Sequence, residues 1–137
     1  MDLKAFLHPA VVSEKKEIVI SKRFLDDNGN PVPFKIQALT QEENDKIIKL
    51  CTKTLKINGQ ATERLDKIQY ARRIIVAATV EPDFSQKEMC DAYGVLDPLE
   101  VPGRMLLSGE YQKLSEAIAE LSGIGDGEDL GEEAKNS

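Results

Sequence analysis

The apolar positions of this chain change period as one reads along it. In EIVISKRF (17–24) Ile18, Ile20 and Phe24 fall on one face of an extended segment, with Glu17, Ser21 and Arg23 on the other. PVPFKIQAL (31–39) alternates in the same way, Val32, Phe34, Ile36 and Ala38 against Lys35 and Gln37. Between the two lies DDNGN (26–30), with Asn28-Gly29 at its centre. Two period-two runs around Asn-Gly predict a β-hairpin, and Pro31 and Pro33 suit an edge or the start of a strand.

The period then lengthens to that of a helix. TQEE (40–43) carries the residues of a capping box, Thr40 at the N-cap and Glu43 three positions on. The helix it starts is expected to reach Lys56, with Ile47, Ile48, Cys51 and Leu55 inward, and to end at Asn58-Gly59. A second helix is expected over 62–79. Its stretch Ile74–Ala78 is apolar nearly all round, which predicts the most buried helix, and Glu81-Pro82 stops it. SQKE (85–88) is a second capping-box sequence, for a short helix to Tyr93 closed by Gly94. Asp97-Pro98 opens a turn, Pro102 suits the first position of a short helix over 102–107, and Ser108 is placed to cap a last helix over 109–122. At the start of the chain, Leu3, Phe6 and Leu7 are spaced for one helical turn able to dock on the body, ended by Pro9.

A hairpin followed by helices predicts an α+β fold, mainly α-helical, with the hairpin packed on the helices. The expected organisation is an N-terminal segment over 1–16, one α+β domain over 17–123 and a flexible acidic tail over 124–137. A chain of 137 residues buries roughly two-thirds of its unfolded surface and needs no disulfide or metal to fold.

Charge sharpens the division. The net charge is −6, and residues 123–137 hold five acids and one base. The tail is therefore expected to be disordered, while the rest is nearly balanced. Such a balance disfavours a nucleic acid or an anionic membrane as the partner. Trp is absent and aromatics are 5%, so base-stacking platforms are scarce. No apolar run approaches the ~20 residues of a membrane span, and no signal peptide is visible. The expected location is the cytoplasm. Cys51 and Cys90 read as buried reduced thiols.

Candidate chemistry is thin. His8, the one histidine, lies far in sequence from either cysteine, so no nucleophile–base pair is indicated, and no Cys/His cluster suggests a metal. Asp26, Asn28 and Asn30 mimic the start of an EF-hand loop, but Pro31 and Gln37 stand where that loop requires Gly and Glu. The tail glycines do not fit a phosphate loop. Arg72-Arg73 reads as solvated or paired with acids such as Asp66 or Glu81. Glu42-Glu43 and Asp26-Asp27 read as surface acids, the former suiting a helix start. No catalytic residue, cofactor or metal is expected, and a binding protein is favoured over an enzyme.

Four stretches, FKIQALTQEE (34–43), YARRIIVAATVEPDF (70–84), YGVLDP (93–98) and RMLLSGEYQKLSEAIAELSG (104–123), together resemble the XkdN-like phage tail assembly chaperones of Gram-positive phages and prophages. The resemblance implies a protein of the bacterial host cytoplasm that binds the long, helix-rich, aggregation-prone tape measure protein and keeps it soluble while the tail tube polymerises. It leaves room for the tail tube protein as a second partner and for a homo-oligomer. The surface assigned to the client is the region of the last helix: Met105, Leu106, Tyr111, Leu114, Ile118 and Leu121. The competing assignment for the same stripe is core packing. Three other functions stand beside this one: a tail-completion or connector protein retained in the virion, an acidic inhibitor that mimics DNA, and an unrecognised enzyme.

Overall fold

A computed structural model describes residues 2–10 and 15–124. It contains helices and small antiparallel sheets, so the fold is mixed α+β. The disorder expected of the acidic tail falls outside the described residues, Ile124 apart.

Strand β1 (Lys15–Ile18) pairs antiparallel with β2 (Phe34–Gln37), from Lys15 opposite Gln37 to Ile18 opposite Phe34. An antiparallel pair is present on either side of the Asn-Gly turn, but the expected bounds of its first strand are corrected: β1 begins at Lys15, inside the expected N-terminal segment, and shares only Glu17 and Ile18 with the expected 17–24. Residues 19–33 form a long connection whose tip is the Asn-Gly turn. Asp26 organises that tip: its Oδ1 accepts the backbone N–H of Asn28 and of Asn30, each at 2.9 Å, and Gly29 turns at φ +80°. An isolated bridge, Leu25 with Pro31, closes it. The Asp26 carboxylate thus serves its own loop, as a turn rather than a cation site.

Helix α2 (Gln41–Cys51) begins with the expected capping box. Thr40 Oγ1 accepts from Glu43 N–H at 3.2 Å, and Glu43 Oε1 accepts from Thr40 N–H at 3.1 Å. It ends five residues before the expected Lys56. Thr52–Ile57 (β3) and Gln60–Leu65 (β4) instead form a second hairpin. The turn at Asn58-Gly59 has φ +54° and +79°, the two positive values of a type I′ turn. The helix boundary at Asn-Gly is therefore corrected: β-branched Thr52, Thr54 and Ile57 favour an extended backbone. Leu55, expected inward, is exposed. Asp66 N–H donates to Cys51 O at 2.8 Å, closing the base of this ribbon, so it projects as an insert between α2 and the next helix.

That helix, α3 (Lys67–Ala78), starts later than the expected residue 62 because 62–65 belong to β4. Asp66 caps it through Gln69 N–H at 3.1 Å. It buries Ile74, Ile75 and Ala78 and packs against α2, α6 and α5, placing it at the centre of the core as the apolar run predicted. It passes directly into β5 (Thr79–Glu81), which joins the first sheet beside β2, in the order β1-β2-β5. The Glu81–Pro82 peptide is cis.

Helix α4 (Lys87–Tyr93) ends at Gly94 in the left-handed conformation, as expected, but Ser85 does not cap it. Asp83 Oδ1 accepts Ser85 N–H at 2.9 Å, and the neighbouring Phe84 is fully buried. A 3₁₀ turn (Pro98–Glu100), capped by Asp97, leads into α5 (Val101–Met105), with Pro102 in its first turn. The last helix, α6 (Ser108–Ser122), takes Leu107 rather than Ser108 as its N-cap, because Glu110 Oε1 reaches back to Leu107 N–H at 2.8 Å. Gly123 terminates it at φ +75°. At the other end of the chain, α1 (Leu3–Leu7) is the expected helical turn, but it does not dock: Leu3, Phe6 and Leu7 are all exposed.

Candidate functional site

The predicted client stripe divides on inspection. Leu114 and Ile118 have no exposed surface and Leu106 is buried. They hold α6 against the core, and no partner reaches them in the folded protein. Met105, Tyr111 and Leu121 are half-buried and pack on that core from outside. A Leu/Ile stripe at helical spacing is the same pattern whether it faces a partner or the protein itself, and here α6 lies on α3 and β2.

Met105 also lines a concavity. An open groove of about 500 Å³ runs between the 19–33 connection and α4–α5. It is lined by Phe24, Leu25, Val32 and Pro33 from the connection and by Pro82, Met89, Tyr93 and Met105 from the segments after β5. Buried Phe34 lies beneath, its ring 5.7 Å from that of Phe24 and tilted by 50°. Met89 and Tyr93 share one face of α4 through their i, i+4 spacing. The volume falls within the roughly 300–1,000 Å³ range of ligand-sized pockets, and methionines give such a surface adaptability.

The charged residues of the lining are Arg23 and Glu81. Arg23 lies with its guanidinium 5.0 Å from the Phe24 ring centre. Its Nε donates to Glu110 Oε2 at 2.9 Å and its Nη2 to Met105 O at 3.1 Å, with a further short contact to Glu110 Oε1. Arg23 therefore braces the connection against α5 and α6. The Arg23 guanidinium, helped by Ser21 and by Leu107 N–H, holds the Glu110 carboxyl at about 2. Glu81 meets Lys35 at 3.5 Å and leaves most of its side chain exposed.

The residues singled out for chemistry do not converge here. His8 ends α1, away from both cysteines in sequence. Cys51 and Cys90 are buried free thiols, and burial pushes the Cys51 thiol up, which makes it a poor nucleophile. Among the described residues, no group of three or more His, Cys, Asp or Glu is placed to hold a metal. The acids expected to pair with Arg72 and Arg73 are engaged elsewhere, Asp66 with Lys53 at 3.0 Å and Glu81 with Lys35. Arg72 lies near Tyr111 and Arg73 near the Cys51 thiol.

Sequence reasoning found Met105 but missed the rest of the groove. Its available signal was the concentration of apolar residues, Phe24-Leu25 and Val32-Pro33, on either side of a turn too polar to need them.

No described helix is long and apolar enough to cross a membrane. The chain is similar to two proteins of Bacillus subtilis (strain 168). Uncharacterized protein YqbN is 40% identical over 139 residues, covering 98% of this chain and 93% of YqbN. Phage-like element PBSX protein XkdN is 37% identical, covering 98% and 94%. The crystal structure of YqbN superposes with a TM-score of 0.71 at 35% identity, over 87% of this chain and 94% of that one. The profile of the phage XkdN-like tail assembly chaperone proteins matches residues 3–135, and the chain belongs to that family.

Proposed function

We propose that this protein acts in the host cytoplasm as a chaperone for the tape measure protein, and that the groove between the 19–33 connection and α4–α5 receives amphipathic helices of that client. The observation that carries this reading is the groove itself: an open, largely apolar surface, with Arg23 and Glu81 as its charged lining residues, in a member of a tail assembly chaperone family. A helix laid in a groove presents apolar residues at i, i+3, i+4 and i+7. Leu25, Val32, Met89 and Met105 offer the complementary aliphatic surface, and Arg23 and Glu81 meet the polar flanks of such a helix. Of the residues first assigned to the client, Met105 lies in this groove, while Tyr111 and Leu121 are at most peripheral contacts. The chemistry required is reversible coverage of apolar surface, with no bond made or broken.

The test is co-expression with the tape measure protein of the same genome. The expected result is that the client becomes soluble and co-purifies, and that Leu25→Asp abolishes co-purification while the chaperone stays folded. A client that remains insoluble beside the wild-type chain overturns the proposal. Abundant copies of the chain in purified virions would replace it with the role of a retained tail-completion or connector protein.

A further inference from the structure

Charge is unevenly distributed over the folded body. Residues 46–73, the second half of α2, the β3–β4 ribbon and the first half of α3, hold eight bases against two acids, Glu63 and Asp66, a net +6 in a chain whose total is −6. Lys46, Lys49, Lys53, Lys56, Arg64 and Lys67 are all exposed. Glu42 meets Lys46 at 3.9 Å and Asp66 meets Lys53 at 3.0 Å. Among the described residues, Lys49, Lys56, Arg64 and Lys67 form no ion pair. The ribbon register also sets Lys53 directly opposite Arg64. Opposed residues of an antiparallel pair project from the same face, and like charges there repel. Glu63, opposite Thr54, falls on the other face.

We propose that the acidic segment 125–137 of the same chain lies against this basic unit and screens it. The segment holds Asp126, Glu128, Asp129, Glu132 and Glu133 against the single base Lys135. Its point of departure suits the partner. Ile124 lines one hollow with Tyr70, Ala71 and Ile74 of α3 and another with Gln41 and Asn44 of α2. The chain therefore leaves the described structure beside α2 and α3, the two helices that carry the ribbon. Lys67 precedes Tyr70 and Ala71 by three and four residues, on the same side of α3 and about 6 Å along its axis. Glu42, Glu43 and Asp45 repel an acidic segment from the start of α2, and the last turn of α6 offers no base.

Reach and strength agree. Residues 125–137, extended, span up to about 45 Å, against a ribbon about 20 Å long, so acids from Asp126 to Glu133 can follow the cations from Lys67 to Lys53 and Arg64. Each exposed ion pair is weak, but the tether gives the segment an effective concentration of the order of millimolar. A bare surface of this charge attracts polyanions of any sequence, and the segment competes with them. The groove takes no part, so this inference and the client reading stand or fall separately.

The test uses the full chain. Cys51 and Cys90 are buried, so a nitroxide label goes to the new thiol of Asn136→Cys. The label is expected to broaden the amide signals of 52–65 and Lys67 and to spare those of α4. The broadening is expected to vanish in about 1 M salt, where the screening length is about 3 Å. It is also expected to vanish with Arg64→Glu and Lys67→Glu together, both at exposed positions, and when the five acids are replaced by Asn or Gln. That neutralised chain is expected to bind a duplex DNA of arbitrary sequence about tenfold more tightly than the wild type. Ribbon signals untouched by the label, or broadening that survives salt or neutralisation, overturns the proposal. Broadening seen only between a labelled chain and a second, isotope-labelled copy assigns the surface to another molecule of this protein and overturns it as well. Duplex binding that is equally tight with and without the five acids gives the surface to nucleic acid instead.

Discussion

Arg23 and Glu110, 87 residues apart in sequence, form a two-pronged ion pair that fastens the β1–β2 connection to the start of α6. The same carboxylate accepts Leu107 N–H, so one side chain both caps a helix and positions a wall of the groove. Its pKa, about 2 against an ordinary 4.5, lies below the unfolded value. The linked stability is therefore fully present above about pH 4.5 and is lost as pH falls towards 2. Denaturant unfolding of wild type and Glu110→Gln should differ most at neutral pH and converge with acidification. A difference that does not depend on pH would dissociate the pair from acid stability.

Groove and core separate by mutation. Leu25→Asp, at an exposed position, should change stability by no more than about 0.5 kcal/mol while client capture is lost. Leu114→Ala, fully buried, should cost about 2–5 kcal/mol and reduce capture only as far as it unfolds the protein. Melting curves run alongside co-purification read both quantities. Equal loss of capture by a stably folded Leu114→Ala would move the client site onto α6.

Thr79 lies where α3 passes into β5, and its buried hydroxyl has no hydrogen-bond partner among the described residues. A buried unsatisfied hydroxyl is costly. Thr79→Val keeps the branched shape and removes the polar atom, and it should raise stability by about 1 kcal/mol in denaturant unfolding. A loss of stability would mean that the hydroxyl finds a partner in solution.

The β3–β4 ribbon projects with nearly every residue exposed, and a lone two-stranded hairpin is marginal in water. Its amides over 52–65 should exchange with solvent by local opening, far faster than those of Ile74 and Ile75. Gly59→Ala, at φ +79°, should speed that exchange further by straining the turn by roughly 1 kcal/mol, yet leave the global melting midpoint in place. Protection in the ribbon equal to that of α3 would show that it is held by something more than its own pairing.

Some elements were legible because their signals are local. Thr40 and Glu43 close the capping box on themselves, Gly94 and Gly123 terminate helices by adopting a conformation that costs other residues, and Ile74–Ala78 is too apolar to lie anywhere but inside. The Asn-Gly at 58–59 was equally local but ambiguous. It ends helices and it turns hairpins, and the choice depends on whether Thr52–Ile57 continues α2 or leaves it. The groove has no local signature. Its walls come from the 19–33 connection, β5, α4 and α5, and it exists only because those segments meet.

By itself the sequence determined which segments are apolar, where most helices start and stop, that an antiparallel strand pair flanks the Asn28-Gly29 turn, and the family resemblance; all of these depend on residues within a turn or two of one another or on order along the chain, whereas the pairing of 15–18 with 34–37 did not follow from the alternation. Only the tertiary structure decided which apolar faces are spent on the core and which remain open. Periodicity records that a face must be covered, and the covering surface is supplied by distant residues. Leu114 and Ile118 are covered by the protein's own α3 and β2, whereas Leu25 and Met89 face the groove and Phe6 faces solvent.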